Sequence, residues 1–250
     1  MRRTILAGNW KMNLDHLAGA ALAKEICGGL GAARSACEVI LIPPFTTLPA
    51  VAEAVRGSLV KTGAQDLYCE DEGAYTGEIS GAMLRALGCA YALVGHSERR
   101  HVIGESSALV ARKLRAALRN GLMPILCVGE LLAEREARKA VGVVANQVRE
   151  AYEGLEGAEF SRVVVAYEPV WAIGTGKTAT PQDASDMHGV IRIIAKELFG
   201  TAAAEDLPIL YGGSAKPETA PALLAEPEID GLLVGGASLK ASSFLGMMPR

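Results

Sequence analysis

Four side chains suited to proton chemistry stand at the ends of short apolar runs: Asn9 and Lys11, then His96, then Glu168. Glu168 closes the run Val-Val-Val-Ala-Tyr at 163–167, and Pro169 bars the strand from continuing past it. The tip beyond it, Val170-Trp171-Ala172-Ile173-Gly174-Thr175-Gly176-Lys177, joins apolar bulk to two flexible glycines. A base fixed on a rigid element beside a mobile apolar flap suits chemistry from which water is excluded. His96 precedes Ser97, a predicted helix N-cap. The positive end of such a helix disfavours the imidazolium and leaves a neutral ring that donates one hydrogen bond. Lys11 offers a fixed positive charge where an enolate oxygen develops. Together these are a base, an electrophile and a charge stabiliser, with neither metal nor nucleophile required.

The glycine pairs add an anion site. Backbone N–H groups at Gly174, Ser214, Gly235 and Gly236 can converge on a phosphate without adding side-chain charge. The last pair opens a short helix expected near Ser238, whose N-terminus favours an anion. Each feature alone has a plainer explanation. Lys11 is a solvated charge, His96 a satisfied polar group, and Gly212-Gly213 and Gly235-Gly236 are turns. Their coincidence at one set of strand ends is what carries weight.

The elements that must position them recur from end to end. Strands are predicted at Thr4–Ala7, Val39–Ile42, Val60–Gly63, Tyr91–Val94, Pro124–Val128, Val163–Tyr167, Ile209–Tyr211 and Gly231–Val234. Most are continuously apolar, as in parallel strands covered on both faces. Helical periodicity lies between them. Ala184, Met187, Ile191, Ile194 and Leu198 follow Thr180 as N-cap, Pro181 at the first position and Asp183 in capping-box register. Val110, Leu114 and Ala117 form a second stripe that stops at Asn120-Gly121, and Val141, Val144, Val148 and Ala151 form a third. Eight strand–helix alternations predict a single-domain (β/α)8 TIM barrel over 1–250, eight parallel strands ringed by helices. A doubly wound sheet is the alternative, but the first strand is followed by Gly8-Asn9-Trp10-Lys11 and not by a Gly-rich phosphate loop.

Composition narrows the function classes. Half of the 250 residues are hydrophobic, enough for a large core, and the net charge is −3 with no basic tract. Nucleic-acid binding has no electrostatic footprint, and an anionic substrate must be held by local geometry. The five cysteines, Cys27, Cys37, Cys69, Cys89 and Cys127, form no C-x-x-C pair, so reduced and mostly buried thiols are expected. The apolar stretch after Met1-Arg2-Arg3 is too short for a signal peptide and no run reaches membrane-spanning length, so a cytoplasmic protein with no membrane association is expected. His16, His101 and His188 read as exposed surface residues.

Five ordered motifs then carry a resemblance along the full chain: Gly8-Asn9-Trp10-Lys11-Met12-Asn13, Gly95-His96-Ser97-Glu98-Arg99-Arg100, Ala166 to Gly176, Tyr211-Gly212-Gly213-Ser214 and Gly235-Gly236-Ala237-Ser238. In these the chain resembles the triosephosphate isomerase family. The resemblance implies a cofactor-free, metal-independent interconversion of dihydroxyacetone phosphate and D-glyceraldehyde 3-phosphate through an enediolate, a step of glycolysis and gluconeogenesis. It implies Glu168 as base, His96 as electrophile, and Lys11 and Asn9 as electrostatic partners that also bind substrate. Phosphate is expected at Gly174, Ser214, Gly235 and Gly236, under a lid running from Pro169 to Lys177. Tyr211 is implied to orient the closed flap, with Glu98 and Cys127 in support. A homodimer is implied, in which the loop around Gly73–Glu78, with Tyr75 and Thr76, reaches a neighbouring subunit and Thr76 buttresses Asn9 and Lys11. From residues alone, Glu70-Asp71-Glu72-Gly73 is a solvated turn. Two segments depart from the family pattern: the apolar opening Leu131-Leu132 and the tail Met247-Met248-Pro249-Arg250.

Three other functions compete. Gly176-Lys177-Thr178 mimics the end of a P-loop, but Trp171 stands where its first glycine belongs. A non-catalytic phosphosugar-binding barrel needs the anion site without the three polar side chains. Another phosphate-binding barrel enzyme fits less well, because the Trp171–Ile173 flap suits a small ligand fully enclosed.

Overall fold

The computed structural model describes residues 2–30, 37–173 and 179–249. Eight strands, β1 (Thr4–Asn9), β2 (Cys37–Ile42), β3 (Lys61–Ala64), β4 (Tyr91–Val94), β5 (Met123–Val128), β6 (Val164–Tyr167), β7 (Ile209–Tyr211) and β8 (Gly231–Val234), pair in sequence order. All neighbours are parallel, and β1 pairs β8 to close the barrel. The doubly wound alternative is thereby excluded. β1 runs two residues beyond the predicted end because Gly8 and Asn9 stay in register with Leu41 and Ile42.

Side-chain alternation sorts the strand residues into two layers. Ile5, Ala7, Ile40, Ile42, Tyr91, Leu93, Ile125, Cys127, Val164, Ala166, Leu210 and Leu233 fill the barrel interior. Their neighbours Leu6, Val39, Leu41, Leu232 and Val234 face outward, onto the helices. Continuing the inward parity past each strand end reaches Asn9, Gln65, Gly129, Glu168, Gly212 and Gly235. The mouth of the barrel is therefore built by the same alternation that builds its core.

The helices cover the outer layer. Pro181–Phe199 opens with the predicted reciprocal cap: Asp183 N–H donates to Thr180 Oγ1 at 3.0 Å, and Thr180 N–H to Asp183 Oδ2 at 3.1 Å. Ser107–Arg119 ends at Asn120, and Gly121 takes the left-handed φ of 76° that closes it. In Ala140–Tyr152, Val144, Val148 and Ala151 are buried as expected, whereas Val141 in the first turn stays 53% exposed.

One sequence expectation of burial needs correction. His188 is fully buried, not exposed. It lies on the stripe of Ala184, Ile191 and Ala195, so the helical period that buried them buried it too. In the tail that departs from the family pattern, Met247 and Met248 pack with Phe244 in the layer outside β1 and β8. Among the described residues all five cysteines are free, with only Cys27 partly exposed. No described helix is long and apolar enough to cross a membrane.

Candidate active site

A cavity of about 340 Å³ opens at the C-terminal ends of the strands, lined by Asn9, Lys11, His96, Glu168, Ser214, Gly235 and Gly236 among others. Glu168 hangs from the end of β6, where its N–H donates to Val128 O at 2.8 Å. Two glycines make its seat. A Cβ at Gly129 would lie 1.8 Å from the Glu168 carbonyl oxygen, and one at Gly212 would lie 2.8 Å from Glu168 Cγ. Neither position tolerates a side chain while Glu168 keeps its place.

His96 breaks the inward parity of β4, and Gly95 is the reason. Its φ of 70° swings the following residue into the mouth. His96 Nε2 donates to Glu168 Oε1 at 2.9 Å, and the second carboxylate oxygen accepts the Ser97 N–H at 2.8 Å. On the far side of the ring, Nδ1 accepts the Glu98 N–H at 3.3 Å. One proton therefore sits on Nε2, aimed into the cavity.

Here the cap differs from the sequence expectation by one residue, and the Glu168 charge opposes its effect. The His96 carbonyl accepts from the Arg99 and Arg100 N–H groups, so the cap is His96 itself and Ser97 is already helical. Ser97 and Glu98 open the helical segment that continues as the π-turn Arg99–Ile103, so a helix N-terminus does lie beside the imidazole. Burial works against a charged imidazole, but the Glu168 carboxylate and its hydrogen bond outweigh it and hold His96 above the ordinary value. Burial likewise pushes the Glu168 carboxyl up. His96, the Ser97 N–H and Lys11 more than cancel that, and Glu168 lies below the ordinary carboxylate range. The thiol of Cys127, buried under Glu168, is pushed far up by burial and by that carboxylate and stays neutral.

Lys11 sits at a φ of 52°, a left-handed conformation uncommon for a non-glycine residue. Three contacts hold it there. Its N–H donates to Asn9 Oδ1 at 3.0 Å, its carbonyl accepts Gln65 Nε2 at 2.8 Å, and Nζ reaches Glu98 Oε1 at 2.6 Å. Strain at a site residue that its neighbours over-determine is a mark of function.

Ser214, Gly235 and Gly236 line the cavity as expected. The helix expected near Ser238 is a 3-10 turn from Gly236 to Leu239, closed by Ser238 N–H on Gly235 O at 2.8 Å. Of the flap, Pro169 to Ile173 is described: a 3-10 turn at Val170–Ala172 leads away from Glu168, and Ile173 lines the cavity. Gly174, Thr175, Gly176 and Lys177 lie outside the described residues, as does the P-loop-like Gly176-Lys177-Thr178. The Tyr211 hydroxyl is buried with no hydrogen-bond partner among the described residues. The Gly73–Glu78 loop projects with Tyr75 and Thr76 exposed, and it is organised from behind. Tyr68 and Tyr75 pack at 4.7 Å between ring centroids, and Arg119 holds Asp71 at 3.0 Å. No group of three or more described His, Cys, Asp or Glu residues could hold a metal ion.

Two site residues were missed in the sequence. Gln65 pins Lys11, and the fully buried Glu130 anchors the flap by accepting Trp171 Nε1 at 2.8 Å and the Tyr167 hydroxyl at 3.1 Å. Arg135 stacks over the Trp171 ring at 4.6 Å. The signal was present: both lie just past strand ends, β3 and β5, at the rim where the other five motifs were read.

Over residues 4–249 the chain matches the family model described as triosephosphate isomerase. It is 54% identical over 248 residues to a triosephosphate isomerase of Moorella thermoacetica, covering 99% of this chain and 98% of that protein. It is 50% identical over 247 residues to one from Rhodopirellula baltica, covering 99% and 97%. A third, from Roseiflexus castenholzii, is 52% identical over 245 residues, covering 98% and 96%.

Proposed function

Since the chain belongs to the triosephosphate isomerase family, we propose that it interconverts dihydroxyacetone phosphate and D-glyceraldehyde 3-phosphate, with Glu168, His96, Lys11 and Asn9 as its chemical groups. The observation that carries this reading is the convergence of a buried carboxylate, an imidazole N–H and an ammonium on one cavity. Glu168, held ionised, takes the proton from C1 of the ketone. The C2 oxygen gains the electron pair as the C1–C2 double bond forms, and His96 Nε2–H and Lys11 face that oxygen. His96 passes its Nε2 proton to the C2 oxygen and takes the C1 hydroxyl proton in its place, and Glu168 returns its proton to C2, which completes the aldehyde. To act, Glu168 exchanges its bonds to His96 and Ser97 for the substrate.

The phosphate is placed on the N–H groups of Ser214, Gly235 and Gly236, and of Gly174 in the flap. Lys11 and these dipoles supply the attraction that a net charge of −3 does not. The Trp171–Glu130 anchor supports reading Pro169 to Lys177 as a lid hinged at its start. The buried Tyr211 hydroxyl, without a hydrogen-bond partner among the described residues, supports a latch role for that residue. A reactive enediolate needs such enclosure, since water would divert it.

The whole chain is read as one catalytic unit acting as a homodimer in the cytoplasm, in contact with neither membrane nor nucleic acid. Met12, beside Lys11, is 94% exposed, Leu17 is 71% exposed, and Tyr75 and Met83 are also uncovered. Apolar surface next to a site is costly unless a partner covers it. A second copy whose Thr76 reaches Asn9 and Lys11 would do so. The test is a coupled isomerase assay run with EDTA, beside light scattering of the same sample. Turnover undiminished by EDTA and a mass near twice 26.1 kDa are expected; absence of triose phosphate turnover would overturn the reading.

A further inference from the structure

Beside the mouth, past the ends of β3 and β4, four charged side chains that the isomerisation does not use form a closed ring. Lys113 Nζ holds both oxygens of Asp66, at 2.8 and 2.7 Å, and Glu105 Oε1 at 2.5 Å. Arg99 bridges the same two carboxylates from the other side, Nη2 to Asp66 at 2.9 Å and Nε to Glu105 at 2.6 Å. Asp66, Glu105 and Lys113 are buried, whereas the Arg99 side chain is 30% exposed. The charges balance, but the hydrogen bonds do not: Glu105 Oε2 is buried with no partner among the described residues.

This ring is tied to the site by two arms. Gln65, directly before Asp66, donates to the Lys11 carbonyl and to Ile42 O. Arg99 donates its backbone N–H to the His96 carbonyl at 2.8 Å. Lys11 Nζ on Glu98, the residue before Arg99, closes the circuit. Lys11 and His96 are thus held relative to one another through Gln65, Asp66 and Arg99.

Burial pushes the Asp66 carboxyl up to about 6; Lys113 only partly offsets it, and the Glu105 charge adds to it. The groups that face Asp66 are Lys113, Glu105 and Arg99. Farther out stand the Arg112–Glu70 pair, Arg100 and the Cys69 thiol. A carboxylate that takes a proton exchanges charge-assisted bonds to ammonium and guanidinium for roughly half-strength neutral ones.

We propose that Asp66 is a positioning residue for the isomerase site: one proton taken up by the Asp66–Glu105 pair slackens the circuit between Lys11 and His96 and lowers turnover. The inference rests on the isomerase reading. It gives the protein a brake at mildly acid pH that lies outside the reacting groups.

The test compares wild type with Asp66→Asn from pH 8 to pH 5.5 at saturating substrate. The ratio of their kcat values cancels the titration of substrate and of the Glu168–His96 pair, which both proteins share. The ratio should be up to about tenfold at pH 8, equivalent to one pKa unit of coupling, and approach one below pH 6. In parallel, the backbone amides of Lys11 and Ser97 should titrate by NMR with the Asp66 13Cγ signal, and not in Asp66→Asn. If that variant fails to fold, Glu105→Gln removes the competing carboxylate and should move the wild-type acid limb to lower pH. A pH-independent ratio, an unmoved limb, or amides that ignore Asp66 would overturn the proposal. Wild type inactive at every pH would instead sink the isomerase reading, and the amide titrations would then decide the coupling alone.

Discussion

Glu168 at the mouth and Asp66 just past the end of β3 are both buried carboxylates beside a cation, yet they shift in opposite directions. Glu168 lies below its ordinary range and Asp66 is pushed up to about 6. Burial acts on both alike. The difference is competition for donors: His96 Nε2–H and the Ser97 N–H both go to Glu168, whereas Lys113 and Arg99 are each divided between Asp66 and Glu105. The histidines repeat the contrast. His96, with a carboxylate at 2.9 Å, is raised, and His188, against a backbone carbonyl at 3.0 Å and the edge of Tyr167, is lowered to about 4. In this barrel the ionic partner, not the depth, decides which groups stay charged.

The largest test of that contrast is Glu168→Asp. Shortening the side chain withdraws the carboxylate by about 1 Å, and a misplacement of that size costs roughly 10²-fold or more in kcat. Steady-state turnover within a few-fold of wild type would mean that the His96–Glu168 pair is structural.

Next comes acid stability. His188 has a folded value near 4 against an ordinary 6.5, so its neutral form supports the fold above 6.5 and that support is lost as pH falls through 4. At pH 5 the loss is already about 2 kcal/mol. Asp66 runs the other way, because its folded value is raised: its contribution is present below 3.8 and is lost as pH rises through 6. His188→Leu should therefore flatten the fall in urea-unfolding free energy between pH 7 and pH 5, and an unchanged slope would show that His188 titrates normally.

The smallest effect is expected at the flap anchor. Trp171→Phe removes the donor to Glu130 Oε1 but keeps the ring under Arg135. A bond to a charged acceptor contributes about 1.5–3 kcal/mol when intact, and Tyr167 remains to hold Glu130, so a drop in kcat of under about tenfold is expected. A loss as large as that of Glu168→Asp would make the anchor a chemical rather than a hinge element.

The barrel was legible in the chain because its strands are uninterrupted apolar runs and its helices carry caps and stripes. Continuing strand parity past the ends even places Asn9 and Glu168 in the mouth. His188 was misjudged because a single polar residue on an apolar stripe reads as surface until the neighbouring elements are seen to close over it. Gln65 and Glu130 were missed for a different reason: they touch Lys11 and Trp171 across the rim, and sequence distance says nothing of that contact.

The chain by itself determined the alternation, the strand-end chemistry and the glycines that make room for it, because these are local properties of backbone period and side-chain size. Only the closed barrel decided the ionisation of the groups. Whether a carboxylate is raised or lowered depends on which donors arrive from other elements and how many acids share them, and those neighbours meet only when strands distant in sequence pair.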